Sequence, residues 1–294
     1  MNPNCERIQD VITSWLASRL NAASLTWIDD RRKTIRSGDK SAMYLAFGLT
    51  PRKVGKADLA LTSEELAAAT AVRPGWNPRG WSVDQIVRAA LTLCLPSNDS
   101  VSYVATLNQL FSTGEVGELV ALYQGLPLLP HPAAHVLRAA EGIRTNIKAV
   151  FCAVAHQNPY PAEQFNEDQW NQMVLKCQFI GVPMSPIVGL DDRANPRLSK
   201  MVIDFVHERW AAKRPVAPDM WRCVGRFADD AALQDLQKVL TTGSAVEQQA
   251  AALALSESSS AGAATILSSV PELNRHVAEG RITWSTIDES NSIQ

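Results

Sequence analysis

DAALQDLQKVLTTGSAVEQQAAALALSESSSAGAATILSSVPELNRHVAEG, residues 230–280, decides the fold class. Apolar residues recur at three- and four-residue spacing in short blocks separated by Gly, Ser or Pro. The blocks predict helices over 229–241, 245–256, 261–269 and 272–279. Each is amphipathic, rich in Ala and Leu, and too short to bury its apolar face alone, so it must stack on neighbours. With a further short helix expected at 219–225, the C-terminal third reads as HEAT-like α-solenoid stacking within an all-α, multi-helical array. The polar tail, 281–294, is expected to be loosely ordered.

The same logic runs back towards the N-terminus. Asn195 is a natural N-cap with Pro196 at the first helical position, opening a helix to about Lys213. Residues 167–181 are apolar nearly all round, as a core helix would be. His131 and Pro132 open what reads as the longest helix, with Val136, Ala140, Ile143, Ile147, Val150, Phe151 and Val154 on one stripe, ending before NPYP at 158–161. Helices are predicted over 83–95, 99–112 and 115–124, and over 5–21 and 23–36, where Trp15 and Trp27 fall on the apolar faces. Thr62 with Glu65, and Ser82 with Gln85, spell capping boxes. RPGWNPRGW (73–81) is too rich in Pro and Gly to be helical. There Trp81 can staple onto Ile86, while Trp76 lacks such an account and is a candidate to line a surface site. Strand signals are almost absent. The expected organisation is an N-terminal helical region (1–128), a central core region (129–214), the short-helix region (215–280) and the tail, all in one continuous all-α unit.

Composition excludes several function classes. The 28 basic and 30 acidic residues leave a net charge of -2, which disfavours nucleic acid or an anionic membrane as the main partner. Five scattered cysteines without a CxxC pair suit a reducing cytoplasm better than a disulfide framework or a cysteine-built zinc site. The start MNPNCERIQD lacks the basic-then-apolar pattern of a signal peptide, and no apolar stretch approaches the ~20 residues that span a bilayer. A soluble, cytoplasmic protein without direct membrane insertion is expected. No GxxxxGK[ST], GxGxxG or GxSxG motif is present.

The candidate ligand-binding residues are those where polarity and position conflict. Arg209 falls on the inward stripe of its helix with Leu198, Met201, Val202 and Phe205, at about 100° per residue. A guanidinium there either snorkels past its neighbours near the helix C-terminus or forms an anion or carboxylate site. Asp204, His207 and Glu208 occupy the opposite, solvated side. Lys176, next to Phe179 and Ile180, and Asn171 sit on the core-like helix, where a lysine either pairs with a carboxylate or has a depressed pKa suited to chemistry. His156 and Tyr160, in the turn HQNPYP, and Arg144 and Asn146, on the edges of the preceding stripe, are candidate pocket residues because helix-end loops carry function. His131 and His135 have i, i+4 spacing but no HExxH pattern, so no metal is expected. No cofactor is indicated.

The strings EGIRTNIKAVFCAVAHQNPYPAEQFNEDQWNQMVLKCQFIG (141–181), GLDDRANPRLSKMVIDFVHERWAAKR (189–214) and MWRCVGRF (220–227) resemble the EboA family of bacterial proteins. Weaker similarity at 81–91 and 119–132 extends the resemblance over nearly the whole chain. It implies companions encoded together: a membrane prenyltransferase-like protein, a sugar-phosphate-cyclase-like enzyme, and TIM-barrel hydrolase- and isomerase-like proteins, associated with making or moving secondary-metabolite precursors. The resemblance carries no catalytic residues to this chain. The expected function is therefore an accessory, non-catalytic scaffold of such a system that binds a partner protein or a small polar intermediate. The alternative is an enzyme acting on a cyclitol- or phosphate-like intermediate through Lys176 and Arg209.

Overall fold

A computed structural model describes residues 3–291. Among the described residues the regular structure is helical, apart from one isolated antiparallel bridge between Asp58 and Ser82. The all-α fold class read from the sequence is what the chain adopts. No helix among the described residues is long and apolar enough to cross a membrane. The packing divides between Asn166 and Glu167 into two compact units.

The first unit contains α1 (Pro3–Ala17), α2 (Ala22–Arg36), α3 (Lys40–Val54), α4 (Ser63–Val72), α5 (Val83–Thr92), α6 (Ser100–Thr113), α7 (Val116–Gly125), α8 (Val136–Arg144), α9 (Lys148–Ala155) and α10 (Tyr160–Gln164). Its core is α5, buried along nearly its whole length and packed by α1, α2, α3 and α7. Even Arg88 on α5 is buried, so its charge has to be met inside. It pairs with Asp84 at 2.7 Å, donates from Nε to the Phe47 carbonyl oxygen at 3.1 Å, and lies over the Phe47 ring. Both capping boxes start helices as read: Glu65 accepts from Thr62 N–H at 2.9 Å, and Gln85 from Ser82 N–H at 2.8 Å.

Three features of this unit differ from the sequence reading. Trp76 lines no surface site; it is buried between Trp15 and Trp81, with ring centroids 5.5 and 6.3 Å away. The helix read as continuous from His131 to about residue 157 is two helices preceded by a 3₁₀ turn, Pro132–His135. The break falls at Thr145-Asn146-Ile147, a run of weak helix formers in which the Thr145 hydroxyl takes the Ile147 N–H at 3.1 Å. Both pieces turn apolar faces to the core, so the stripe survives the break. Close contact between them needs Gly142, where a Cβ would stand 2.7 Å from Val154 Cγ2. Finally, α3 is passed over by the sequence reading, because Gly48 and Pro51 interrupt its buried stripe of Ala42, Met43, Ala46, Phe47 and Thr50.

The second unit contains α11 (Glu167–Ile180), α12 (Pro196–Ala211), α13 (Asp230–Thr242), α14 (Ala245–Ser256), α15 (Ala261–Ser268), α16 (Pro271–Ala278) and α17 (Trp284–Asn291), with 3₁₀ turns at Pro218–Cys223 and Gly225–Phe227. Its centre is α14, against which α13, α15, α16, α17 and both 3₁₀ turns pack. Ala250, Ala251, Ala252 and Ala254 are fully buried there, and their small side chains let neighbours come close on several sides. The tail is a correction: α17 packs on α14 through Ile287, and Trp284 Nε1 donates to Glu257 at 2.7 Å. Residues 292–294 of the tail lie outside the described residues.

Among the described glycines of the second unit, Gly225 has the closest neighbour. A Cβ there would overlap the Ala254 carbonyl oxygen and stand 2.9 Å from the Ala254 Cα, and backbone cannot yield as a side chain end can. Gly225→Ala is expected to destabilise the second unit by about 1–3 kcal/mol, as overpacking does. Thermal denaturation followed by circular dichroism checks it; an unchanged Tm contradicts the packing.

Candidate functional site

The second unit holds a half-open cavity of about 390 Å³ whose polar lining includes Arg209, Gln178, Ser244 and Glu247. Its floor begins with α12. Asn195 caps this helix by accepting the Leu198 N–H at 2.8 Å, and its own amide pairs with that of buried Asn171 on α11 through bonds of 2.9 and 3.2 Å. Leu198, Val202, Phe205 and Val206 then form the buried stripe of α12, and Arg209 follows Phe205 by one turn.

At the other end of α12 the chain reverses. Ala212 N–H closes onto the Glu208 carbonyl oxygen at 3.1 Å, Lys213 takes the left-handed conformation at φ 54°, and Arg214 N–H reaches the Arg209 carbonyl oxygen at 2.8 Å. The reversal carries Pro215–Pro218 back past the helix end. Arg209 locks it by donating from Nε and Nη2 to the Pro215 carbonyl oxygen at 2.9 and 2.8 Å. Pro215, Val216, Ala217 and Pro218 become one wall, Phe205 another, and the first turn of α14 (Ser244, Val246, Glu247) the third. Glu247 closes a capping box by accepting the Ser244 N–H at 2.7 Å. On the α11 side Phe179, two-thirds exposed, meets Phe205 edge to face at 5.0 Å.

The 3₁₀ turns that follow the wall carry a polar network in which Asp219 is buried and Asp191, Arg222 and Glu257 are half-buried. Asp219 accepts the Met184 N–H at 3.1 Å and Gln178 Nε2 at 3.4 Å; burial nonetheless pushes its carboxyl above the ordinary range. Arg222 grips Asp191 with two 2.7 Å bonds, and these hold the Asp191 carboxyl below its ordinary 3.8. Glu257, bonded to Trp284, is raised by burial. The wholly buried Cys223 thiol is pushed up to about 12 by burial.

The residues singled out from sequence divide between the units. In the second, Arg209 lines the cavity, and Asn171 serves the Asn195 cap. Lys176, half-buried on α11, is not among the lining residues. The helix bearing it is amphipathic rather than apolar all round: Trp170, Asn171, Met173, Val174 and Cys177 are buried while Phe179 faces solvent. In the first unit, Tyr160 is buried and donates to the Pro132 carbonyl oxygen at 2.5 Å. It lines a cavity of about 460 Å³ with the bidentate Arg73–Glu163 pair, whose bonds are 2.9 and 2.6 Å. Arg144 and Asn146 are exposed at the α8–α9 break, His156 closes α9, and none of the three lines that cavity. His131 and His135 flank the Tyr103 ring, and the Nε2 of each meets a carbonyl oxygen, of Ser97 at 2.8 Å and of Pro130 at 2.9 Å. Burial lowers the His135 pKa, and the Pro130 carbonyl oxygen, which can only accept, takes the proton of Nε2. Among the described residues no group of three or more His, Cys, Asp or Glu could hold a metal ion. The sequence reading misses the 215–218 wall, Glu247 and the Asp191–Arg222 pair; partners 31 residues apart leave no local signal.

Asn171→Ala strips the half-buried Asn195 cap of its amide partner and should cost about 1–3 kcal/mol; an unchanged Tm would contradict the structural role. Asp191 and Glu257 should titrate stability in opposite directions. The stability from Asp191 is fully present above its ordinary pKa and is lost as pH falls through the lowered folded value, so Asp191→Asn should lower Tm at pH 7 and cease to matter well below pH 3.8. Glu257 favours its neutral form in the fold, so stability is lost as pH rises through its raised value. Glu257→Gln, which keeps the acceptor for Trp284, should therefore raise Tm at pH 7 and lose that effect below pH 4.5. Tm measured against pH for both variants decides it; parallel curves contradict the assignment.

Comparison with known proteins places the chain in a family. The sequence profile described as "Metabolite traffic protein EboA" matches residues 8–225, from within α1 to the start of the 3₁₀ turn at Gly225–Phe227. Curated proteins and solved structures yield no significant match. With most of its length matched by that profile, the chain belongs to the EboA family.

Proposed function

We propose that the protein is an accessory, non-catalytic component of a bacterial system for the biosynthesis and traffic of secondary-metabolite precursors. In this reading it works in the cytoplasm as a scaffold that holds a partner protein or a small polar intermediate. The observation that carries the reading is the family match over residues 8–225, whose description names metabolite traffic. The second-unit cavity supports it, since about 390 Å³ lies within the range of small-molecule sites and Arg209 supplies a fixed charge in its wall. Partners are the other proteins of the pathway, the membrane prenyltransferase-like protein among them, reached without inserting any helix of this chain into the bilayer. The HEAT-like stacking expected from the sequence favours this reading, because such stacks bind partners over a broad concave face.

Affinity purification of the tagged full chain from its host, with mass spectrometry of proteins and of small molecules released on denaturation, tests the proposal. A companion protein of the pathway or a stoichiometric polar metabolite should co-purify. Recovery of neither contradicts the proposal, and turnover of a pathway intermediate by the isolated chain would replace it with an enzymatic reading.

A further inference from the structure

We infer that the groove between the Phe205–Arg209 face of α12, the 215–218 wall and the first turn of α14 binds a small molecule carrying a carboxylate or phosphate on a flat apolar ring. The identity of this ligand class rests on the small-molecule branch of the function proposed above.

Three features of the groove point to that chemistry. The first is a pre-organised cation. Nε and Nη2 of Arg209 are both held by the Pro215 carbonyl oxygen, which fixes the guanidinium plane, while Nη1 makes no hydrogen bond to the described residues. A planar donor group so fixed matches a carboxylate or phosphate and loses little freedom on binding one. The second is an apolar wall beside the cation. The Arg209 guanidinium carbon lies 5.9 Å from the centroid of the Phe205 ring, and Val216, Pro218 and Val246 continue the apolar lining. Such a surface suits a ring laid flat against it. Phe179, exposed and edge-on to Phe205, extends the aromatic surface beside the groove.

The third is the sign of the local charge. Arg209 lines the cavity, and the helix end and its reversal, 208–214, carry Arg209, Lys213 and Arg214 against Glu208, a net charge of +2. Against them the acidic lining residue is Glu247, one of whose oxygens is engaged by the Ser244 N–H. An anion is favoured over a cation or a neutral polyol. The volume suits one substituted ring.

Isothermal titration of the full chain with benzoate and phenyl phosphate, against benzyl alcohol as the neutral ring and inorganic phosphate as the bare anion, tests the inference. The ring-bearing anions should bind at least about tenfold more tightly than either control, the difference expected of one charge-assisted hydrogen-bonding site. Arg209→Gln should reduce benzoate to the level of benzyl alcohol. Because Arg209 also ties the 212–215 reversal, a second variant, Val246→Asp, serves where the first misfolds. It places a carboxylate in the first turn of α14, which the helix tolerates well, and it should repel the same ligands. The inference is overturned if benzyl alcohol matches benzoate, if folded variants keep the wild-type affinity, or if neither ring anion binds at millimolar concentration. Failure here with companions still co-purifying removes this inference alone. Failure of co-purification with benzoate still bound removes the pathway reading alone.

Discussion

The approach of the Gly225 backbone to that of Ala254 sets the position of everything else in the second unit. Only a residue without a Cβ lets the 3₁₀ segment from Pro218 to Phe227 lie directly on α14. That segment carries Asp219 and Arg222 and is continuous with the wall of the cavity. α14 can accept it because its buried side chains there are alanines, which also admit α13, α15, α16 and α17 around the same helix. The first unit reaches a comparable arrangement by a different route. Its central helix, α5, is buried with both an arginine and an aspartate on it, and the two answer one another across a single helical turn.

One guanidinium in each unit is given a carboxylate and a further partner, buried in the first unit and half-buried in the second. Arg88 has Asp84, the Phe47 carbonyl oxygen and the Phe47 ring. Arg222 has Asp191 by two bonds and the Trp284 ring at 6.0 Å. Such pairs add little net stability over an apolar core but make the wrong packing costly, since an uncompensated buried charge is far worse than a paired one. In the second unit they tie the segment around Asp191, the 3₁₀ turns and α17 to one arrangement. Arg209 stands apart from this pattern. Its hydrogen bonds go to a neutral carbonyl oxygen, and it forms no ion pair with a carboxylate among the described residues.

Much of the fold is legible in the sequence because caps and apolar periodicity are local. Thr62 with Glu65 and Asn195 with Pro196 announce their helices, and α12 to α16 begin within a residue or two of the predicted positions. What escapes a local reading depends on tertiary context. The stripe through Ile143 and Val150 is genuine on both sides of Thr145, so periodicity alone cannot see that the chain bends there. The tail looks polar, yet Ile282, Trp284 and Ile287 are spaced to reach α14 and are buried. Of the candidate residues, Arg209 is conspicuous because a charge on an apolar stripe is a local conflict. The two explanations for it, snorkelling near the helix C-terminus and an anion or carboxylate site, both put a guanidinium in the last turn of α12, which is where it lies. The third wall around it comes from Ser244, Val246 and Glu247, far along the chain on another helix, and no periodicity links them to it.

Each unit is thus held by one buried helix on which its neighbours depend. Native-state hydrogen exchange measures this dependence, because an amide in the central helix exchanges only when its surroundings open. α5 and α14 should hold the slowest-exchanging amides of their units, slower than those of α6 and α16 at their peripheries. Exchange from α14 as fast as that from α16 would contradict a fold built around it.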